Sequence, residues 1–90
     1  MYAIYDEKVG AFMQPFFANN AALALRAFAS HVNNPDTVFS KYPNDFILYE
    51  IGSFDDQKGI VMDLENNQNL GYARDYIEQP EDPDQMRLVK

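Results

Sequence analysis

The stretch NDFILYEIGSFDDQKGIVMDL, residues 44–64, decides the fold of this 90-residue chain because its pattern is that of a β-hairpin. Two apolar runs, residues 46–54 and residues 59–64, flank the polar residues 55–58. A polar loop of this length that ends in glycine is typical of two antiparallel neighbours. We therefore predict that the two runs form the third and fourth strands of a sheet.

The third predicted strand is apolar on both of its faces. Alternation along the strand places Phe46, Leu48 and Phe54 on one face, and Ile47, Tyr49 and Ile51 on the other. One face can pack on a helix. The other face then needs a second helix, a partner chain or a ligand, because an uncovered aromatic sheet face is unusual in a monomer.

The first third of the chain predicts a second hairpin followed by a helix. Residues 2–6 form a β-prone run, residues 7–10 form a turn, and residues 11–17 are the partner strand. Pro15 has no backbone N–H, so this partner lies at a sheet edge or its pairing ends near Gln14. Residues 19–20 are two asparagines of the N-cap type, and they predict an alanine-rich helix that runs to about residue 33 and stops before Pro35.

The helix divides into a buried stripe, a polar side and an apolar strip. At helical spacing the stripe consists of Ala21, Leu25, Phe28 and Val32, while Arg26, Ser30 and Asn33 point the other way. Leu23 and Ala27 lie outside the stripe and form a smooth strip on which a second chain could pack. The alternative is that these are ordinary exposed apolar residues without a role.

The remaining segments complete a single α+β domain in residues 1–78. Residues 35–44 are predicted to be a loop. Residues 70–78 are predicted to form a short second helix with Leu70, Ala73 and Ile77 pointing inward, and this helix could cover the second sheet face. Residues 79–90 combine prolines with acidic residues and are predicted to be a flexible acidic tail. The predicted fold is an antiparallel sheet of about four strands in the chain order β-β-α-β-β, packed on one main helix. The crossover leaves open whether the third strand runs parallel or antiparallel to the second.

The totals exclude several classes of protein. Seven basic against fourteen acidic residues give a net charge of −7 and a pI near 4.3, which disfavours non-specific binding to nucleic acid. The absence of cysteine excludes disulfides, zinc-thiolate sites and thiol nucleophiles. The chain shows no signal-peptide pattern and no apolar run long enough to span a bilayer, so we expect a cytoplasmic protein that does not bind membranes.

No pattern of catalytic residues stands out in the sequence. His31 is the only histidine and has no cysteine or second histidine to join it in a metal site. The glycine-rich loops that hold phosphates are absent, and no nucleophile elbow surrounds a serine. We therefore expect a protein that is not an enzyme and that has no metal or cofactor.

Aromatic residues are the feature most relevant to nucleic acid. Those that fall on predicted strands include Tyr2, Tyr5, Phe12, Phe16, Phe46, Tyr49 and Phe54. Exposed rings on a sheet can stack unpaired bases with little positive charge nearby, whereas buried rings would simply form the core. The candidate nucleic-acid-binding residues are Arg26, Lys41, Tyr42, Tyr49 and Lys58. Lys41 beside Tyr42 is the best local pair.

Several motifs between residues 2 and 59 resemble the small nonstructural protein of gokushoviruses, the tailless microviruses with single-stranded DNA genomes. They include Pro15-Phe16-Phe17-Ala18, Phe39-Ser40-Lys41 and Phe54-Asp55-Asp56. The resemblance implies a viral protein of the host cytoplasm that is not a component of the virion and is sometimes described as DNA-binding. It further implies a role in moving genome synthesis from duplex replication to single-strand production and packaging. No catalytic residues come with it.

Two hypotheses remain at this point. The first is a phage accessory protein that binds single-stranded DNA or the replication complex, with sheet aromatics stacking bases and the cations touching phosphates. The second is a protein-interaction module, either a homodimer or an adaptor to host or viral replication proteins, that acts without direct DNA contact. It would use the second sheet face or the strip of Leu23 and Ala27.

Overall fold

The computed structural model describes residues 1–78 and shows the predicted α+β fold. In chain order the elements are β1 Tyr2–Asp6, β2 Ala11–Phe12, α1 Ala21–Val32, α2 Val38–Lys41, β3 Phe46–Asp55, β4 Ile60–Tyr72 and a 3-10 helix Ala73–Tyr76. The four strands form one sheet in the order β2-β1-β3-β4, and all neighbours are antiparallel. The predicted acidic tail, residues 79–90, lies outside the described residues.

Both hairpins are closed by the same five-residue turn. Asp6 begins the first turn and Asp55 begins the second, and the carboxylate of each accepts the backbone N–H groups two and three residues further on. Gly10 and Gly59 end the turns with φ angles of 79° and 68°, a conformation that glycine adopts without strain. The aspartate-to-glycine spacing therefore fixes where each strand reverses.

The crossover places β3 beside β1, which resolves the strand order that the sequence left open. Tyr2 faces Glu50 across this pair and Asp6 faces Phe46, so β3 is antiparallel to β1 and does not pair with β2. As predicted, β2 is an edge strand. It is shorter than the predicted residues 11–17. Beyond it Met13 donates its N–H to the carbonyl of Ile4 and Phe16 pairs with Tyr2, and Pro15 interrupts the ladder between them.

The helix α1 closes the core on one face of the sheet. Its N-cap is Asn20, whose side chain accepts the N–H of Leu23 at 2.9 Å, as the sequence predicts. Phe28 and Val32 are buried as expected, and Ala24, which the predicted stripe omitted, is buried with them. Opposite them the sheet contributes Tyr2, Ile4, Phe46 and Leu48. Ala21 and Leu25 are only partly buried and lie at the margin of this core.

The segment 35–44 was predicted to be a loop, and this was wrong, because it contains α2. The side chain of Thr37 caps α2 by accepting the N–H of Ser40 at 3.3 Å. Phe39 projects from α2 into the core, with its ring centroid 6.2 Å from that of Phe28 and 4.8 Å from that of Phe46. A single helical turn of four residues carries too weak a periodicity to be seen in the sequence.

A short C-terminal helix is present as predicted, but it is a 3-10 helix over residues 73–76 rather than a helix over residues 70–78. Strand β4 continues to Tyr72 rather than ending at residue 64, and Gly71 has a φ of 124°, which a helix does not accommodate. Only the 3-10 helix remains. Its Ala73 is fully buried and its Tyr76 packs on Phe28 at 6.0 Å, so it lies on the α1 side of the sheet and leaves the second face uncovered. Ile77, expected to point inward, is exposed.

Beyond residue 52, β3 and β4 continue as a two-stranded ribbon, which we call the hairpin arm and define as residues 52–63. Pairing with β1 ends at Glu50, after which the backbone of Met1 contacts Ile51 and Gly52. The molecule is elongated, with extents of 54 × 31 × 22 Å. The sheet thus has a body covered by α1 and a projection that α1 does not cover.

Candidate binding surface on the open sheet face

A row of four side chains crosses all four strands on the face away from α1. Phe12 faces Tyr5, Tyr5 faces Ile47, and Ile47 faces Tyr72 in the strand registers. Ile47 is only 3% exposed although no helix within residues 1–78 covers it. Its position between Tyr5 and Tyr72 makes it the floor of this surface, and the aromatic rings beside it are the part that a partner can reach.

Three of the rings pack on one another. Tyr5 and Phe12 have ring centroids 4.9 Å apart, Phe12 and Tyr49 are 5.6 Å apart, and Tyr5 and Tyr49 are 6.4 Å apart, all edge-to-face. Phe12 is 45% exposed, and the two tyrosines are half-buried. We call the surface made by Tyr5, Phe12, Tyr49 and Tyr72 the aromatic face.

Two charged residues hold Tyr72 in place at one end of the aromatic face. The hydroxyl of Tyr72 donates to Oε1 of Glu7 at 2.7 Å, and the guanidinium of Arg74 lies 4.0 Å from the centre of its ring. The hydrogen bond to Glu7 is the main reason that the pKa of Tyr72 is raised, and desolvation adds to it. The geometry is that of a cation–π pair, which presents a guanidinium beside exposed rings.

The five residues predicted to bind nucleic acid do not come together on one surface. Tyr49 is on the aromatic face, whereas Arg26 is exposed on α1, which covers the opposite face. Lys58 is in the turn at the tip of the hairpin arm. Lys41 and Tyr42 are exposed at the end of α2, close to the start of β3 rather than to its end. Their nucleic-acid role stays a prediction.

Arg74 was not predicted to be a site residue, whereas the two residues of the helix strip were correctly predicted to be exposed. Arg74 was overlooked because residues 70–78 were assigned to a helix, in which Tyr72 and Arg74 would not share a face. Leu23 is 40% exposed and Ala27 is exposed, as predicted for the strip on α1. Whether a second chain packs there stays a prediction.

A separate apolar cleft of about 490 Å³ lies where the first hairpin approaches α2. Its apolar lining consists of Val9, Met13, Val38, Tyr42 and Phe46, and its rim carries Asp6, Lys8 and Asp45. Apart from Phe46, these apolar side chains are exposed. The cleft therefore offers hydrophobic contact with charges of both signs at its edge.

Two further classes of site can be checked in residues 1–78. These residues contain no group of three or more histidine or acidic side chains arranged to hold a metal ion. No helix among them has the length and apolar character needed to cross a membrane. His31 is exposed near the end of α1, with its ring 6.3 Å from that of Phe39.

The model of one protein family, described as "Phage ORF5 protein", matches residues 1–76. The chain therefore belongs to the Phage ORF5 protein family, and the expectation of a phage protein is confirmed. The more specific resemblance to gokushoviruses stays a prediction. No curated protein and no solved structure matches the chain.

Proposed function

We propose that this phage protein is a non-enzymatic accessory factor in the replication or packaging of a single-stranded DNA genome. It works in the host cytoplasm, is not a structural part of the virion, and binds unpaired bases on the aromatic face. The observation that carries the proposal is the packed set of Tyr5, Phe12 and Tyr49 on a sheet face that no helix covers. Rings presented in this way can stack with any base.

The charge distribution supports a short contact rather than a long groove. A chain with a net charge of −7 repels DNA at long range, and on the aromatic face Arg74 is opposed by Glu7. Stacking must therefore supply most of the affinity, while Arg74 contacts one phosphate beside the stacked bases. We expect a site for one to three nucleotides with weak salt dependence, about −0.7 in slope for each phosphate contacted on a single strand.

The test is the binding of a labelled oligothymidine, followed by fluorescence anisotropy at about 50 mM salt, where electrostatic contacts are strongest. Because one stacked base contributes about 1–3 kcal/mol, Phe12→Ala should weaken binding between about fivefold and 150-fold. Phe12 is half exposed at a sheet edge, so its loss should leave the fold intact.

The matched control is Leu23→Ala, which removes a similarly exposed apolar side chain from the opposite side of the molecule. Its affinity should equal that of the wild type. Arg74→Gln should lower both the affinity and the salt slope, whereas Phe12→Ala should lower the affinity alone. Undetectable binding by the wild type at this salt concentration, or an equal loss in Leu23→Ala, would contradict the proposal.

A second candidate function is a protein-interaction module that acts as an adaptor to host or viral replication proteins without touching DNA. The apolar cleft between the first hairpin and α2 favours it, because Val9, Val38 and Tyr42 are exposed around one cavity. Val38→Glu would place a charge in that cleft. If the adaptor hypothesis is correct, Val38→Glu should no longer capture replication proteins in a pull-down from infected cells, whereas Phe12→Ala should still capture them.

A further inference from the structure

Among residues 1–78, little covers the hairpin arm, residues 52–63, apart from Phe17, which packs on Phe54. Its four large apolar side chains are each between 47% and 52% exposed: Phe54, Ile60, Val61 and Met62. A two-stranded hairpin is only marginally stable in water by itself. A cluster of this kind at the end of an otherwise packed domain is typical of a binding surface.

The exposed side chains occupy both faces of the arm. Phe54 faces Val61 on the α1 side, whereas Met62 and Ile60 face Ser53 and Asp55 on the other side. Folding the arm back onto the body of the same molecule would cover one face and leave the other exposed. A partner that surrounds the arm covers both.

The root of the arm adjoins a cleft of about 600 Å³ on the same molecule. Phe17 lies at this cleft, is 62% exposed, and has its ring 5.8 Å from that of Phe54. Glu50 and Asp56 also line it, as does Met1, whose N-terminal ammonium donates to the carbonyl of Gly52. The cleft thus combines an apolar wall with two acidic residues against one ammonium group.

The tip of the hairpin arm carries a positive charge and apolar side chains, which complement the acidic and apolar lining of the cleft. Lys58 is exposed in the turn, directly before the apolar run of Ile60 to Met62. An arm entering the cleft of another copy would place apolar groups against Phe17 and the Lys58 ammonium near Glu50. Because every copy carries both the arm and the cleft, a twofold axis lets the two chains exchange these contacts reciprocally.

The available area matches what a small dimer needs. Five large apolar side chains at about half exposure, those of the arm together with Phe17, supply on the order of 500 Å² per chain. A standard interface buries about 800 Å² per partner, and polar rim residues provide the remainder. The apolar area alone therefore covers most of such an interface.

We propose that the hairpin arm is a homodimer interface, in which residues 52–63 of each chain pack against Phe17 and the adjoining cleft of a second copy. This inference is independent of DNA binding, since the aromatic face uses other residues. It assigns the dimer to a different surface from the strip of Leu23 and Ala27 that the sequence indicates.

The test compares two charge insertions at exposed apolar positions, with molar mass measured by light scattering over a dilution series of the full chain. The wild type should have twice the 10.4 kDa mass of one chain. Val61→Glu should raise the dissociation constant at least tenfold, about 1.4 kcal/mol, because the interface would bury an unpaired charge. Leu23→Glu should leave it unchanged, and its glutamate suits the first turn of α1.

Crosslinking gives a second readout that does not depend on a destabilising substitution. The chain has no cysteine, so Val61→Cys introduces a single thiol into an otherwise thiol-free protein. Mild oxidation of a mixture of Val61→Cys and Phe17→Cys chains should give disulfide-linked dimers, because the proposed interface brings these two side chains together, whereas a mixture of Leu23→Cys and Phe17→Cys chains stays monomeric on a denaturing gel. A wild type that remains monomeric at its highest soluble concentration, or a dimer that Leu23→Glu dissociates as readily as Val61→Glu, overturns the assignment.

Discussion

The side chain of Asn33 connects the end of α1 to the 3-10 helix and the residues that follow it. Its Nδ2 donates to the carbonyls of Ala29 at 2.8 Å and Tyr76 at 2.9 Å, and its Oδ1 accepts the N–H of Glu78 at 2.7 Å. We expect Asn33→Ala to lower the free energy of unfolding by about 1–3 kcal/mol, because the partly buried carbonyl of Tyr76 loses its bond to Asn33, whereas the carbonyl of Ala29 keeps the backbone N–H of residue 33. Urea denaturation measures this loss.

The control for this prediction is Ser30→Ala, an exposed position on the same helix. Its free energy of unfolding should lie within about 0.5 kcal/mol of the wild type. An Asn33→Ala protein that unfolds at the same urea concentration as Ser30→Ala would show that the three hydrogen bonds contribute nothing.

Tyr72 provides a prediction about pH. The bond to Glu7 raises the pKa of Tyr72 above its ordinary value of about 10, so the folded state retains the proton more tightly than the unfolded state. The resulting stability is complete below about pH 10 and is lost as pH rises through the folded pKa. In thermal unfolding, the wild type should therefore lose stability more steeply than Tyr72→Phe above that pH.

The stability of both the wild type and Tyr72→Phe should still depend on pH to some extent because of Tyr2. Burial, and to a lesser extent the charge of Glu50, also raises the pKa of Tyr2. Leu23→Ala is the control, since Leu23 is an exposed residue without a titratable group and its loss should preserve the wild-type pH profile. Identical profiles for the wild type and Tyr72→Phe between about pH 9 and 11 would contradict the prediction.

Individual residues could be predicted from the sequence where local chemistry decides their role. Asn20 as a helix cap follows from its side chain and from the helix that begins after it. Asn33 was assigned to the polar side of the helix, and the structure corrects this: its partners Tyr76 and Glu78 lie 43 and 45 residues away in the chain. Arg74 was missed for the same reason, since its role depends on the strand conformation of Tyr72.

The close approach of β3 and β4 at the base of the hairpin arm gives a prediction at the scale of the element. A Cβ on Gly52 would lie 2.7 Å from the carbonyl oxygen of Met62, a backbone atom that cannot move alone. Gly52→Ala should separate the strands there and destabilise the protein by about 1–3 kcal/mol, with faster amide exchange in the arm than in β1.

The neighbouring Ser53→Ala is the control for Gly52→Ala, because Ser53 is exposed and its substitution adds no atoms. It should exchange amide protons in the arm at the wild-type rate. If Gly52→Ala also leaves that rate unchanged, the strands tolerate a side chain at this position and the close contact has no structural consequence.

Among the elements, those with a strong local pattern were predictable and those set by tertiary pairing were not. The bounds of β1 and α1 follow from alternation, caps and glycine, and the structure confirms them. The length of β4 does not follow from its own pattern: residues 65–69 are polar, and only Gln68 and Asn69 among them pair with β3, beyond an irregularity in the register next to Glu50. A pattern of residues in one strand carries no information about how far its partner reaches.

The distribution of aromatic residues over the whole molecule explains which exposed surfaces could be predicted from the sequence. The sequence showed more apolar sheet area than one helix can cover, and the structure confirms this with exposed rings at Phe12 and Phe54. It did not show that the excess divides between the aromatic face and the hairpin arm. That division depends on the sheet order β2-β1-β3-β4, which leaves β3 and β4 to project as a pair.

If the hairpin arm is a dimer interface, the stability of the whole molecule must depend on protein concentration. A partner that binds only the folded state stabilises it by mass action. For a dimer of chains this size, a tenfold increase in concentration should raise the Tm by about 3–5 °C. Val61→Glu should have a lower Tm than the wild type at each concentration, because its dimer is weaker, whereas Leu23→Glu should follow the wild type. A wild-type Tm that is constant across the dilution series would show that the arm remains uncovered in solution.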